Sequence, residues 1–268
     1  DVLTLSATPI PRTLHLALVK GRDMSIIESP PEDRLPVETY VAEYDDGMVR
    51  EALEREIRRG GRIYYVHNRI EGLSRIAAHL RELVPGITIG LAHGRMTEDE
   101  LEDVMLGFYQ GDFDVLLSTT IIENGLDVPL ANTIIIDGAE NFGLSQLYQL
   151  RGRVGRGNAQ SYCILMNSSN GKNAKERLNI LAGSNDGFYI ASEDLKMRGP
   201  GDFFGVRQSG LMEFKIADVF SDADMLSIAS KEAKEYVEKC NLNDCEKDMR
   251  LETTLKNAYK MTEYNTNI

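Results

Sequence analysis

Apolar and polar positions along the chain predict short buried strands separated by amphipathic helices, from about residue 37 to residue 167. Strand-like apolar runs occur at 37–42, 63–66, 87–91, 115–118, 133–136 and 162–165. Between them, helical spacing runs through Val49, Leu53 and Ile57 (48–59, stopped by Gly60 and Gly61) and through Leu73, Ile76, Ala77 and Leu80 (70–83, closed by Pro85 and Gly86). A third helix follows Thr97, with Glu100 three residues on in capping-box spacing and an apolar face of Leu101, Val104, Met105 and Phe108. Strands and helices that alternate at these lengths imply an α/β fold, a parallel sheet with helices on both faces. In such sheets ligands bind outside the carboxyl ends of the strands.

The flanks read differently. Residues 2–5 resemble the end of a buried strand, Pro9 and Pro11 interrupt regular structure, and a Pro- and Glu-rich stretch at 28–36 reads as a linker. Past Asn167 come a polar loop (168–173), two short helices (175–181 and 187–197) that suggest a hairpin, and a glycine-rich loop. That loop, 198–210, carries Phe203, Phe204, Arg198, Arg207 and Gln208, more chemistry than a connector needs. A charged amphipathic helix at 222–239 and an acidic-to-neutral tail from Asn241 complete the chain.

Polar residues gather after successive strands: His67-Asn68-Arg69, His93-Gly94-Arg95, then Ser118-Thr119-Thr120 followed by Glu123, Gly125 and Asp127. Each cluster alone is also what a helix cap or turn looks like, and His93 reads as a loop hydrogen bonder. Their recurrence at one end of the sheet points to an anion held by hydroxyls and backbone amides.

The densest chemistry is QLYQLRGRVGR at 146–156. Read as one helix, Leu147, Leu150 and Val154 form a buried face, while Gln149, Arg153 and Arg156 form a second. Gly152 and Gly155 leave room for a ligand to approach the backbone. Two guanidinium forks beside an amide suit a polyanion, because guanidinium matches phosphate geometry and stays charged. The residues fit a pair of arginine fingers for a nucleoside triphosphate. They also fit a solvated basic face, or an Arg-Gly segment that touches nucleic acid loosely.

Bulk properties narrow the classes. The chain has 268 residues, 42% hydrophobic and 27% charged, the profile of a globular protein and enough for one large domain or one domain plus an appendage. No apolar run approaches the ~18 residues of a membrane span, and the first residues lack the layout of a signal peptide. Cys163, Cys240 and Cys245 are odd in number and form no C-x-x-C pair, and the four histidines lack metal-ligand spacing. A reducing cytoplasm is therefore the expected location. The net charge of −12 argues against coating nucleic acid through bulk charge but leaves room for a local basic groove. With no initiator methionine and an opening in mid-strand, the chain is expected to be a fragment.

Three motifs together resemble superfamily 2 helicases: SATPIPR at 6–12, STTIIENGLDVP at 118–129 and QLRGRVGR at 149–156, with YYVHNR at 64–69 in the place of a fourth. Over residues 2–229 the wording is similar to the group formed by RecG and the transcription-repair coupling factor (Mfd). It is closer to the coupling factor up to Gly155 and closer to RecG from Ser161.

The resemblance implies a two-domain ATP-dependent translocase on double-stranded or branched DNA, with RNA polymerase as a further partner if coupling-factor-like, and no membrane. By the same resemblance residues 1–36 close the first RecA-like domain and link to the second. Residues 37–167 are the second RecA-like domain, 168–215 the helical hairpin and loop known as the TRG motif, and 216–268 a helical tail. Arg153 and Arg156 reach the γ-phosphate, Gln149 orients the site, and Gly125 and Asp127 lie near the nucleotide. Thr119 contacts a DNA phosphate, and Thr120, Asn68, Arg69 and Arg95 are assigned to the DNA with it. Arg198, Arg207 and Gln208 match the loop that couples hydrolysis to movement.

No G-x-x-x-x-G-K-[ST] loop and no magnesium-binding Asp-Glu box is present, so ATP and Mg²⁺ are expected to be held mainly by the other domain, and this chain alone is expected not to turn ATP over. Two rivals stand beside this reading. One is a non-catalytic DNA- or protein-binding module. The other is a phosphate-binding metabolic enzyme, which lacks a convincing catalytic base here.

Overall fold

A computed structural model describes residues 35–120, 128–168 and 171–198, and separate helical positions between 225 and 236. The described residues from 35 to 197 belong to one compact unit and the later ones to a second.

Within the first unit the strands are β1 (Glu38–Glu43), β2 (Arg62–His67), β3 (Ile89–Ala92), β4 (Val115–Ser118), β5 (Ala131–Asp137) and β6 (Tyr162–Asn167). They form one sheet in the order β1-β6-β5-β2-β4-β3, and every pairing is parallel. Parallel strands need crossovers, which the helices supply. These are α1 (Asp46–Arg58), α2 (Leu73–Leu83), α3 (Glu98–Gln110), α4 (Leu144–Arg151), α5 (Lys172–Gly183) and α6 (Gly187–Arg198).

The two-residue period of a strand sorts the central side chains onto opposite faces. Ile63, Tyr65, Leu117 and Ile135 bury against Val49 and Leu53 of α1 and Leu73, Ala77 and Leu80 of α2. Tyr64, Val66, Leu116, Ile134 and Ile136 bury against Phe108 of α3, Leu147 and Leu150 of α4, Leu178 and Leu181 of α5 and Ile190 of α6. Both faces of the central strands are covered, so they read as unbroken apolar runs. The α5–α6 hairpin thus shares the core of the sheet, and the loop between its helices is closed by Asp186, whose carboxylate accepts from Phe188 N at 2.8 Å.

Helix ends shift from the sequence expectation (the helix expected at 175–181 runs Lys172–Gly183), and two of the shifts have a visible backbone cause. The second helix was expected from residue 70 and starts at Leu73, because Gly72 sits at φ +107, outside right-handed helix. The helix expected to reach Arg156 stops at Arg151. Beyond it, Arg153 N donates to Leu150 O at 3.0 Å and Val154 N to Arg151 O at 3.3 Å, which tightens the chain into turns. Gly155, at φ +78, then reverses it. The third helix carries the full capping box: Glu100 N donates to Thr97 Oγ1 at 3.3 Å and Thr97 N to Glu100 Oε2 at 2.9 Å. The linker at 28–34, the loop at 199–210 and the tail lie outside the described residues; within 222–239 the described positions are helical.

Candidate nucleotide and nucleic-acid sites

The sheet separates the expected site residues into two groups. Asn68, Arg69, Arg95, Thr119 and Thr120 follow β2, β3 and β4 and lie at the carboxyl edge. The arginine turn lies at the amino edge. A Cβ placed on Gly155 would stand 2.8 Å from Val37 Cγ2, just before β1, and one on Gly157 would stand 2.8 Å from Pro129 O, just before β5. At about 3.3 Å per residue, a strand the length of β5 holds the two edges roughly 20 Å apart. The expected site residues are therefore divided between two edges, because the connection from β5 to β6 must return the chain to the amino edge.

At the carboxyl edge, His67 and Asp137 end neighbouring strands in register, and His67 Nδ1 lies 3.0 Å from Asp137 Oδ2. Asn68 is half-buried and Arg69 exposed. Arg95 Nη2 donates to Glu71 Oε1 at 3.1 Å, with both side chains about 70% exposed. A hydrogen bond from its own backbone amide, and then the charge of Arg95, hold the Glu71 carboxyl below its ordinary value. Such an exposed pair is weak, so a polyanion can draw Arg95 away at little cost. Thr119 is buried, its N–H donating to Ala92 O at 3.2 Å, and Thr120 is half-buried. Beside them two buried polar atoms, Ser118 Oγ and His93 Nδ1, make no hydrogen bond. His93 bonds through its backbone instead: its carbonyl accepts from Met96 N at 3.1 Å.

At the amino edge, Leu147, Leu150 and Val154 are fully buried, as their spacing predicted. Gln149 and Arg153 are half-buried and Arg156 is exposed, its Nε donating to Gly152 O at 3.2 Å. Because α4 ends at Arg151, the three do not share one helical face. Nor does Gly155 open a path for a ligand; the volume beside its Cα is filled by Val37, and its positive φ is what requires glycine. The turn itself, residues 149–161, contains no carboxylate, so its guanidinium donors suit phosphate oxygens and it offers no acidic ligand to Mg²⁺.

Arg151 is a residue the sequence pattern misassigns, because it stands in the basic cluster yet is 4% exposed. Its Nη1 donates to Leu181 O at 2.7 Å and to Ser184 O at 2.9 Å, at the end of α5. Its guanidinium stands 5.4 Å from the Tyr148 ring centre, and burial lowers its pKa from the ordinary value. The signal was present: Arg151 is four residues after Leu147 and so falls on the buried side of α4. A cation on the last carbonyls of a helix is favourable. Ser145 Oγ adds a second link, to Asp194 Oδ2 of α6 at 2.9 Å. Arg151→Met leaves both carbonyls unpaired and is expected to cost about 2 kcal/mol in denaturant unfolding. An unchanged midpoint would show that water replaces the guanidinium freely.

Arg198 is the last residue of α6. Gly125, Asp127, Arg207, Gln208 and the motif at 6–12 lie outside the described residues. Among the described residues no group of His, Cys, Asp or Glu is arranged to hold a metal ion, and no helix is long and apolar enough to cross a membrane.

Comparison with known proteins places the chain in a family. Residues 48–158 match the helicase conserved C-terminal domain, and residues 184–266 match the C-terminal part of domain 3 of the ATP-dependent DNA helicase RecG. Over 97% of this chain the transcription-repair-coupling factor of Bacillus subtilis is 46% identical. Over 78% of the chain that of Myxococcus xanthus is 52% identical. The chain spans 22% and 18% of those two relatives' lengths, so it corresponds to about a fifth of each. The structure of RecG bound to a three-way DNA junction superposes with a TM-score of 0.67 at 42% identity, covering 82% of this chain and 30% of that one. With its parallel RecA-like sheet, the chain belongs to the superfamily 2 helicase group of RecG and the transcription-repair-coupling factors.

Proposed function

We propose that this chain is the C-terminal motor half of an ATP-dependent double-stranded DNA translocase acting in DNA repair in the cytoplasm. The observation that carries the proposal is the separation of the two groups of site residues by the sheet. One edge offers guanidiniums to a nucleotide; the other offers hydroxyls, amides and basic side chains to a nucleic-acid backbone.

In this reading ATP and Mg²⁺ are held by a preceding RecA-like domain, and the bound nucleotide supplies the γ-phosphoryl group. Arg153 and Arg156 approach that group when the domains close, Gln149 orients it, and Gly125 and Asp127 border it. Preorganised guanidiniums stabilise the charge that grows on the phosphoryl oxygens. Asn68, Arg69, Arg95, Thr119 and Thr120 grip the DNA, and the tethers from Arg151 and Ser145 to the hairpin carry motion toward Arg198, Arg207 and Gln208. The relatives are named for coupling repair to transcription, which supports the reading of duplex DNA beside a stalled RNA polymerase as the substrate; the RecG structure, bound to a three-way junction, supports branched DNA as the second reading.

The test is strand displacement from a DNA triplex by the full-length protein, with ATP and duplex tracks of increasing length. A translocase displaces the third strand with a lag that grows with track length. No ATP-dependent displacement, or turnover by this chain alone at the full-length rate, would overturn the proposal.

A further inference from the structure

The arginine turn is pinned by residues far away in sequence. Gly155 packs on Val37: a Cβ there would meet Val37 Cγ2 at 2.8 Å and Leu35 O at 3.9 Å. On the return leg Gln160 Nε2 donates to Pro36 O at 2.9 Å and to Ser161 O at 3.2 Å, and Glu38 N donates to Ser161 O at 3.0 Å. Arg59 Nη1 donates to Gln160 O at 2.8 Å and fixes that leg from below. Residues 35–37 therefore touch the turn on both sides of Arg156. Pro36 locks its own φ and restricts the residue before it, so the segment is stiff. It is also the chain's entry to β1 and takes in the end of the stretch read as the linker between motor domains.

We propose that residues 35–37 are a strap that positions the arginine turn, with Gln160 as the positioning residue that fastens it. The inference rests on the reading of Arg153 and Arg156 as arginine fingers. Any movement of the preceding domain that pulls on the linker reaches the turn through the hydrogen bond from Gln160 to Pro36 O and the contact of Gly155 with Val37, which also packs against the core. Nothing in this arrangement touches the nucleotide. Its effect is on where the guanidiniums stand, and a misplacement of about 1 Å is enough to cost roughly 10²-fold in rate.

The test uses the full-length protein and three variants. Gln160→Glu keeps the side chain's size but removes the donor and sets a carboxylate against Pro36 O. Its kcat for DNA-stimulated ATP hydrolysis is expected to fall about 10- to 100-fold, in line with a displaced catalytic group, with KM for ATP, melting temperature and duplex affinity unchanged. Gln160→Lys retains a donor of similar reach and is expected to keep most of the kcat. Arg153→Ala serves as the control for the underlying reading. If Gln160→Glu turns over ATP at the wild-type rate while Arg153→Ala does not, the strap is wrong and the fingers stand. If Arg153→Ala turns over normally, both fall. A Gln160→Glu defect that comes with a lower melting temperature and is not relieved in Gln160→Lys makes Gln160 a packing residue and overturns the strap.

Discussion

Arg153→Ala in the full-length protein is expected to lower kcat for ATP hydrolysis by about 10³–10⁵, the range found for arginine fingers, while duplex binding keeps its affinity and salt slope. At about 1.4 kcal/mol per factor of ten, this is roughly 4–7 kcal/mol of transition-state stabilisation. The two halves of the expectation follow from the two edges of the sheet. Arg153 is half-buried on the turn at the amino edge, while Asn68, Arg69, Arg95 and Thr119 occupy the opposite edge. Losing a guanidinium at one edge removes no phosphate contact at the other, so the salt dependence of DNA binding has no reason to change. Arg153→Lys keeps the charge without the planar fork and is expected to recover only part of the rate. Steady-state ATPase and DNA titrations at two salt concentrations check both halves. A parallel loss of DNA affinity would place Arg153 on the nucleic acid instead.

The fold was legible because period and length agreed. Among the described residues the six strands and six α-helices lie where the sequence pattern put them, apart from shifts at their ends. The errors trace to backbone conformation, which apolar spacing does not report. Gly72, at positive φ, delays the start of one helix, and the turns made by Arg153 N and Val154 N end another at Arg151, before Gly155 is reached. The candidate site was half legible. The residue types were visible, but their division between two edges depends on the path of the chain from β5 to β6. Arg151 was hidden by its neighbours in sequence, since a buried tether and an exposed finger share the same letters. Glu56 was hidden for the opposite reason: it sits amid charged residues on a helix and looks solvated. It is 1% exposed.

Glu56→Ala is accordingly expected to be the most destabilising single change among the charged residues described here. The Glu56 carboxylate accepts from Arg59 Nε at 2.9 Å, from Arg59 Nη2, from Thr133 Oγ1 and from Asn132 Nδ2 at 3.5 Å. Thr133 and Asn132 are 3% and 4% exposed, so neither gains water freely when the carboxylate goes. Room for the carboxylate depends on Gly61, where a Cβ would stand 1.7 Å from Glu56 Oε1. Removing one partner of a buried ion pair costs about 3–5 kcal/mol. The lower end applies here, because the Arg59 side chain is 27% exposed and can turn into solvent. A loss of about 3 kcal/mol corresponds to a melting temperature lower by roughly 6–12 °C for a unit of this size. Glu56→Gln keeps the shape and an acceptor for Thr133, so it is expected to lose less than Glu56→Ala. Denaturant unfolding at constant m-value, repeated in an Arg59→Ala background, separates the parts. If the network acts as a unit, Glu56→Ala costs markedly less there. Equal costs in both backgrounds would mean that Arg59 contributes nothing and that Thr133 and Asn132 alone hold the carboxylate in the core.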